Sequence, residues 1–257
     1  MTGNKAAWGW VLSPAYIDYL SRRRWSLRQL YSPVSELAGF FHFRNAVFFH
    51  PGPHEARLLA GLAEFNQVIG NVGDPSTLKD ADQQAAKARE FSRLSLEFPN
   101  VIGGIVDDFS TAVKGGRMPA ELMRETFESL KSANTKLQLM AVVYTMHLDL
   151  DFSAYLPCLD IVNLWVWKSS DLPNLDEYLK KAEERFPGKP IHLGLYLYDY
   201  GETCDTLPMS LVKFQLERAR EYLRTGRIKG FHLIGSYLKE ELRSEPARWL
   251  AENLAGE

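Results

Sequence analysis

The sequence has few cysteines and no long apolar run, and both absences narrow the class of protein. Cys158 and Cys204 are the only cysteines among 257 residues and no CxxC spacing occurs, so the sequence predicts neither a disulfide framework nor a thiolate metal site. The N-terminal MTGNKAAWGWVLS lacks the apolar core of a signal peptide. No stretch reaches the ~18 to 20 apolar residues of a membrane-spanning helix. We therefore expect a cytoplasmic protein without a membrane partner.

An excess of charge of one sign is also missing. The chain carries 30 basic and 32 acidic residues, a net charge of −2, so we expect no nucleic-acid partner. GxGxxG, Walker and GxSxG motifs do not occur, which removes the usual signs of a dinucleotide, a bound nucleotide or a serine hydrolase. We therefore expect no cofactor. A hydrophobic content of 46% over this length is enough for one sizeable core.

Short apolar segments alternate with amphipathic helical patterns along the whole chain. The segments are nearly apolar on both faces and rich in β-branched and aromatic residues, which is typical of a parallel sheet covered on both sides. Eight βα units in this length predict an α/β fold, a TIM barrel of eight parallel strands with outer helices that forms a single domain over 1–257. An open doubly wound sheet is the alternative. The predicted strands lie near 6–12, 46–50, 66–71, 101–107, 137–145, 160–167, 190–198 and 230–236.

Prolines mark the start of several predicted helices. A proline in the first turn is favourable because its missing N–H has no partner there. Residues 22–45 hold either the first helix or a short extra element. The predicted helices run from Pro75 to about Glu97, from Pro119, from just after Asp171 and Pro173 to about Phe186, from Pro208, and over about 240–255.

Acidic residues end two of the predicted strands. Asp107 and Asp108 lie at the end of the fourth strand, and Asp199 follows the seventh, nearly across the barrel. Active sites of such barrels lie at the C-terminal ends of the strands. Glycoside hydrolysis uses two carboxyl groups, ~5 to 5.5 Å apart for retention and ~6.5 to 9.5 Å for inversion. These three aspartates are therefore the predicted catalytic residues, with a helix or loop cap as the alternative for Asp108 and Asp199, and the glycine-containing 113–117 as a candidate lid.

Aromatic residues are dense around the predicted strand ends. Tryptophan and tyrosine rings stack on the apolar faces of sugars while their polar edges reach hydroxyl groups. Barrel interiors favour Val, Ile and Leu, so the whole set indicates a saccharide site, although individual rings that fill the barrel are the alternative. The predicted substrate-binding residues are Trp8, Trp10, His50, Asn71, Tyr144, His147, Trp165, Trp167, Lys168, Tyr196 and Tyr198.

Four of these strand ends, GGIVDDF, AVVYT, VNLWVW and LYLYDYG, resemble the large superfamily of (β/α)8 glycoside hydrolases, and most of all bacterial hydrolase-like barrels of unassigned activity. The resemblance covers about 101–236. It implies an acid/base at Asp107 or Asp108 and a nucleophile or base at Asp199. Members of the superfamily usually have glutamate at both places. The shorter aspartate widens the carboxyl separation and leaves inversion, or a different reaction, open.

Other functions use some of the same residues. His50, His147, Asp107 and Asp108 are suitable ligands for a divalent cation in a metal-dependent isomerase, lyase or hydrolase, although no HxH or HxxE pair marks a strand end. Lys168 would form a Schiff base if it were desolvated. A saccharide-binding barrel without catalysis is a further alternative. The leading prediction is a glycoside hydrolase that acts on a small-molecule or oligosaccharide substrate.

Overall fold

Eight parallel strands close into one barrel, in which each strand pairs with the next along the chain and β8 pairs with β1. The computed structural model describes residues 6–16, 43–52, 54–74, 81–203, 205–234 and 240–254. The predicted TIM barrel is confirmed, and the open doubly wound sheet is wrong. The strands are β1 Ala7–Leu12, β2 Asn45–Phe49, β3 Gln67–Gly73, β4 Val101–Val106, β5 Gln138–Tyr144, β6 Ile161–Trp165, β7 Ile191–Tyr196 and β8 Gly230–Ile234.

Helices follow most strands and cover the outside of the barrel. Pro119 and Pro208 occupy the N-caps of their helices, one residue earlier than a first-turn proline. Pro75 and residues 22–42 of the uncertain N-terminal region lie outside the described residues, as do Cys204 and the last three residues of the chain. The helices are α1 Ala56–Ala60, α2 Ala81–Leu94, α3 Phe109–Lys114, α4 Ala120–Leu130, α5 Leu175–Arg185, α6 Met209–Arg224 and α7 Glu240–Leu254, with 3-10 turns at Thr145–His147, Ser153–Cys158 and Ser169–Asn174.

None of the helices in the described ranges combines the length and the apolar character needed to cross a membrane.

Strand register brings large rings and glycines opposite one another inside the barrel. Trp165 pairs with Gly194, and a Cβ atom at Gly194 would overlap the Trp165 indole. Glycine is therefore required there by the close approach of the ring, and the ring fills the space that two ordinary side chains would share.

A buried histidine pair forms the polar part of the barrel interior. Trp10 Nε1 donates to His232 Nδ1 at 3.3 Å, so His232 carries its proton on Nε2 and donates it to His192 Nδ1 at 2.9 Å. Trp8 stacks on His232 with ring centroids 5.4 Å apart. Burial lowers the pKa of His192 to about 4, and burial with the neighbouring His192 lowers the pKa of His232 well below its usual value. Both imidazoles are therefore neutral near pH 7.

The predicted lid at 113–117 is the capped end of a helix. Gly116 N donates to Val113 O at 3.0 Å and Arg117 N donates to Ala112 O at 2.8 Å. These two bonds, with Gly116 at φ +65°, are the pair that ends a helix in a Schellman motif. Gly116 therefore serves to end α3.

Candidate active site

The two aspartates after β4 lie at a sharp change in backbone direction. Asp107 N donates to Gly73 O at 2.8 Å, which extends the pairing with β3 by one residue. Asp108 then adopts a left-handed conformation at φ 51° and ψ 23°, the only non-glycine positive φ in the described residues. Aspartate is among the few residues that occupy this region, at a cost on the order of 1 kcal/mol. Strain of this kind concentrates at functional sites.

Tyr144, the last residue of β5, forms a hydrogen bond to Asp108 from the neighbouring strand. Its hydroxyl donates to Asp108 Oδ1 at 2.6 Å, and Asp107 Oδ1 accepts the Asp108 backbone N–H at 2.9 Å. Asp108 is the N-cap residue of α3, but its carboxylate makes no capping hydrogen bond. The capping alternative for Asp108 is therefore wrong, because its side chain binds the tyrosine instead.

Burial and like charge act together on the two carboxyl groups. Burial raises the pKa of Asp107 well above its ordinary value, and repulsion from Asp108 and Asp74 raises it further. Burial also raises the pKa of Asp108, although the Tyr144 hydrogen bond and the charge of Arg117 oppose that rise. The pair therefore retains protons at a pH at which isolated aspartates are ionised.

A buried lysine that the sequence did not indicate lies at the end of β2, within electrostatic range of Asp74. Lys87 extends from α2, and its Nζ donates to the backbone carbonyl of His50 at 2.8 Å. Burial lowers the pKa of Lys87 to about 8, while the charge of Asp74 opposes that shift. Because Lys87 lies on a helix and not at a strand end, sampling the sequence at the strand ends could not find it.

Four aromatic rings in mutual contact adjoin the β4 acids. Tyr144 and Trp167 meet edge to face at 5.2 Å, Trp167 stacks on Tyr200 at 5.8 Å, and Tyr200 lies 5.0 Å from Tyr196. Tyr198 adds a fifth ring, 4.9 Å from Tyr200. Trp167, Tyr198 and Tyr200 are only half-buried, so they keep ring surface available for a ligand. We call these five rings the aromatic wall.

The other predicted tryptophans lie in the barrel interior. Trp8 is 2% exposed and Trp165 is 1% exposed, and Trp10 packs edge to face on Trp165 at 5.2 Å. These three rings fill the barrel, as the alternative interpretation stated. Of the three, Trp165 also contacts the aromatic wall, because its ring lies 4.6 Å from that of Tyr196.

The predicted histidines are each hydrogen-bonded to a serine. His50 Nδ1 lies 3.0 Å from Ser13 Oγ, and His147 Nδ1 lies 3.0 Å from Ser110 Oγ. His147 is buried and His50 is half-buried. Burial lowers the pKa of both histidines, helped by Lys87 at His50 and by a lysine of α3 at His147. Both are therefore neutral near pH 7.

Asn71 and Lys168 lie at opposite extremes of exposure. Asn71 is buried near the end of β3, and its Oδ1 has no hydrogen-bond partner in the part of the chain that the structure describes. The same holds for Nδ1 of His54, whose Nε2 lies 2.7 Å from the Asn71 carbonyl oxygen.

Lys168 is exposed at the start of a 3-10 turn, so its amine lacks the desolvation that a Schiff base needs.

Asp199 is fully enclosed by hydrogen-bond donors. Its Oδ2 accepts from Ser169 Oγ at 2.7 Å, Thr203 N at 3.2 Å and Thr203 Oγ1 at 3.1 Å, and its Oδ1 accepts from Gly201 N at 3.2 Å. Burial raises the pKa of Asp199, but these hydrogen bonds outweigh burial and leave the pKa below its ordinary value. The carboxylate organises its own loop, as a loop cap does. It is also ionised, as a nucleophile must be.

Comparison with known proteins shows the fold. No family model and no curated protein matches the sequence. Among solved structures, an active-site mutant of Rhizomucor miehei beta-1,3-glucanosyltransferase in complex with laminaritriose is similar at TM-score 0.60 and 11% identity, over 95% of this chain and 97% of that one. A family 18 chitinase from Crocus vernus is similar at TM-score 0.55 and 12% identity, over 96% and 98%.

A third similar structure is Bacteroides uniformis beta-glucuronidase, at TM-score 0.56 and 14% identity. The match covers 77% of this chain but 26% of the glucuronidase, so the chain spans about a quarter of that protein's length. The chain has a glycoside-hydrolase-like (β/α)8 fold. At these identities the likeness is one of fold alone, so the chemistry has to be argued from the site itself.

Within this glycoside-hydrolase-like barrel, the described residues contain no group of three or more His, Cys, Asp or Glu side chains placed to hold a metal ion. Cys158 is a buried free thiol. The metal-dependent alternative therefore has no cluster to support it in the described residues.

Proposed function

We propose that the protein hydrolyses a glycosidic bond of a saccharide at the C-terminal mouth of its barrel, with the carboxyl groups after β4 as the chemical centre. One observation carries this proposal. Asp108, in a strained left-handed conformation, directs its carboxylate to the Tyr144 hydroxyl at 2.6 Å and not to its own helix, beside an Asp107 of raised pKa. Glycoside hydrolysis requires one carboxyl group that is protonated and a second that is ionised, and two carboxyl groups of unequal pKa support that division.

Asp107 takes the role of general acid in this proposal. Its proton passes to the glycosidic oxygen as the bond from that oxygen to the anomeric carbon breaks. A water molecule then adds to the anomeric carbon, and the proton that it releases restores a carboxylic acid. Burial and repulsion from Asp108 and Asp74 support the role, because both keep Asp107 protonated.

The second carboxylate has two candidates. Asp108 lies next to Asp107 and its charge is favoured by the Tyr144 hydrogen bond. Asp199 is the residue implied by the resemblance at strand seven, and it is ionised but holds hydrogen bonds at both oxygens. The proposal favours Asp108, because binding a substrate at Asp199 would break bonds that order its loop.

The aromatic wall supports a saccharide as the substrate. Half-buried Trp167, Tyr198 and Tyr200 combine apolar faces with polar edges next to the acids. Burial raises the pKa of Tyr200 well above its usual value, so its phenol stays a hydrogen-bond donor for sugar hydroxyls. The similar solved structures that act on glycans are consistent with such a substrate.

The experiment is a screen of aryl glycosides and oligosaccharides against the wild type, Asp107→Asn and Asp108→Asn. Loss of a general acid lowers kcat by about 10²- to 10⁴-fold, and least for substrates with good leaving groups. Asp149→Asn is the matched control, because this exposed aspartate follows β5 at the same end of the barrel. Equal turnover in the wild type and both β4 variants on an identified substrate would reject the proposal.

Azide rescue separates the two candidates for the second carboxylate. In a retaining enzyme that lacks its nucleophile, azide attacks the anomeric carbon in place of the carboxylate. We expect azide to restore turnover to Asp108→Gly, whose backbone keeps its left-handed conformation, and not to Asp199→Ala. Ser169→Ala, which removes one donor to Asp199, is the control for a disturbed loop.

A saccharide-binding barrel without catalysis is the second candidate function, favoured by the occupied carboxylate of Asp199. It predicts that calorimetry detects a saccharide ligand, that the wild type does not cleave it, and that Asp107→Asn binds it equally well.

A further inference from the structure

Two serine–histidine pairs connect neighbouring strand ends, and the buried one adjoins the β4 acids. Ser110 pairs with His147 at 3.0 Å, and Ser13 pairs with His50 at 3.0 Å. A serine bonded to an imidazole is the usual pattern of an activated nucleophile. Ser110 is 0% exposed, however, and its Oγ accepts the Tyr144 backbone N–H at 3.0 Å. The enclosed hydroxyl therefore points to a role other than attack on a substrate.

The Ser110–His147 pair joins the segment that carries Asp108 to the segment that carries Tyr144. Ser110 lies in the first turn of α3, two residues after Asp108, and His147 lies in the 3-10 turn that follows Tyr144. The Ser110 hydroxyl therefore connects the start of α3 to two groups: it accepts the backbone N–H of Tyr144 and it is hydrogen-bonded to the His147 imidazole. The Tyr144 phenol spans the same two segments when it donates to Asp108 at 2.6 Å.

We propose that Ser110 and His147 are positioning residues that hold the Tyr144 hydroxyl within hydrogen-bonding distance of Asp108. His147 was predicted to bind substrate, and this inference assigns it a role behind the site instead. The catalytic consequence rests on the proposed function, but the contact itself is a property of the protein without substrate. Tyr144 packs edge to face on the His147 ring at 6.1 Å, so the imidazole supports both the backbone and the ring of the tyrosine.

The protonation of Asp108 reports on this contact. The groups that act on its carboxylate are Asp107 and Asp74, which oppose its ionisation, and Tyr144 and Arg117, which favour it. Loss of the Tyr144 hydrogen bond therefore raises the pKa of Asp108. A hydrogen bond to a charged group is strong enough to shift that pKa by about one unit.

The experiment measures the Asp108 pKa by NMR on protein labelled with ¹³C at the aspartate carboxyl carbons, with Asp108→Asn used for assignment. Tyr144→Phe gives the shift for complete loss of the hydrogen bond. Ser110→Ala and His147→Leu remove the two members of the pair. His147→Asn keeps a polar atom near the position of Nδ1, and Ser13→Ala removes the corresponding hydroxyl of the other pair, away from Asp108.

We expect Ser110→Ala and His147→Leu to raise the Asp108 pKa toward the Tyr144→Phe value, and His147→Asn and Ser13→Ala to leave it unchanged. An unchanged pKa in a folded Ser110→Ala or His147→Leu overturns the proposal. So does an equal rise in Ser13→Ala, because that would indicate a general loss of packing. If Ser110→Ala does not fold, the Asp108 pKa values of His147→Leu and His147→Asn are compared, and equal values overturn the proposal.

This test needs no substrate, so its result is separate from the result of the glycoside screen. Where a substrate is found, a second measurement applies. Ser110→Ala should shift the pH profile of kcat in the direction of the Tyr144→Phe profile, with KM changed by less than kcat. A variant that only loses stability would keep the wild-type pH profile in its folded fraction.

Discussion

Acidification is expected to destabilise the protein through the histidine pair inside the barrel. His192 is buried and has a pKa of about 4 in the folded chain, whereas an unfolded histidine has a pKa of ~6.5. Between these values the unfolded chain binds a proton that the folded chain does not bind. Stability is therefore complete above pH ~6.5 and is lost as the pH falls toward the folded pKa. Each pH unit between the two values corresponds to ~1.4 kcal/mol, so the whole loss is about 3 kcal/mol.

The assay is urea unfolding of the wild type and His192→Gln at pH 7 and pH 4.5. Glutamine does not titrate, and its side-chain oxygen can still accept the hydrogen bond that His232 donates. Over this interval the His192 contribution is about 2 kcal/mol, so the wild type should lose that much more stability than the variant. Aspartates and the histidines outside this pair titrate in both proteins and cancel in the comparison, while burial keeps the pKa of His232 low in both.

Equal losses of stability in the two proteins would refute the reasoning. That result would mean that His192 takes up its proton in the folded barrel at an ordinary pKa, either because water reaches it or because the hydrogen bond to His232 at 2.9 Å does not form in solution.

Four further predictions concern the barrel wall and the site. Gly194→Ala should lower the free energy of unfolding by about 1 to 3 kcal/mol in urea denaturation, because the added methyl group overlaps the Trp165 indole; a loss under half of the lower bound would contradict the packing described. Asp108→Val should be less stable than Asp108→Asn by at least about 1 kcal/mol in the same assay, since a β-branched residue is strained at φ 51°. In the pH profile of the wild type, kcat/KM should decrease at high pH because Asp107 loses its proton, and the residual activity of Asp107→Asn should not show that decrease. Trp167→Ala should raise KM for a saccharide by about tenfold with little change in melting temperature, because its half-buried ring supplies stacking surface.

The barrel was predictable because its strands are short, apolar on both faces and regularly spaced. The fourth strand is an example: a strand was predicted over 101–107 with acids at its end, and the structure ends β4 at Val106, one residue earlier. The start of the helix at Pro119 was predicted to within one residue, since the helix begins at Ala120. Both features depend on residues close together in the chain, so local patterns are sufficient to find them.

Contacts between distant residues could not be predicted in the same way. A two-residue period places Trp8 and Trp10 on one face of a strand, but both faces of a barrel strand are apolar, so the period does not distinguish the interior from the helical side. The pairing of His192 with His232 spans 40 residues and depends on the closure of the barrel. Lys87 reaches the end of β2 from a helix, so residues chosen at the strand ends do not include it.

The backbone at Asp108 has a consequence for how this protein and its descendants can change. Asparagine and glycine occupy the left-handed region as readily as aspartate does, so the carboxyl group at this position can disappear through a minimal mutation that leaves the main chain undisturbed. Loss of the carboxyl group and loss of the backbone conformation are thereby uncoupled at a residue of the proposed catalytic centre. If the proposed chemistry is correct, a descendant with asparagine or glycine at this position keeps the barrel and its aromatic wall but lacks one of the two proposed catalytic carboxyl groups.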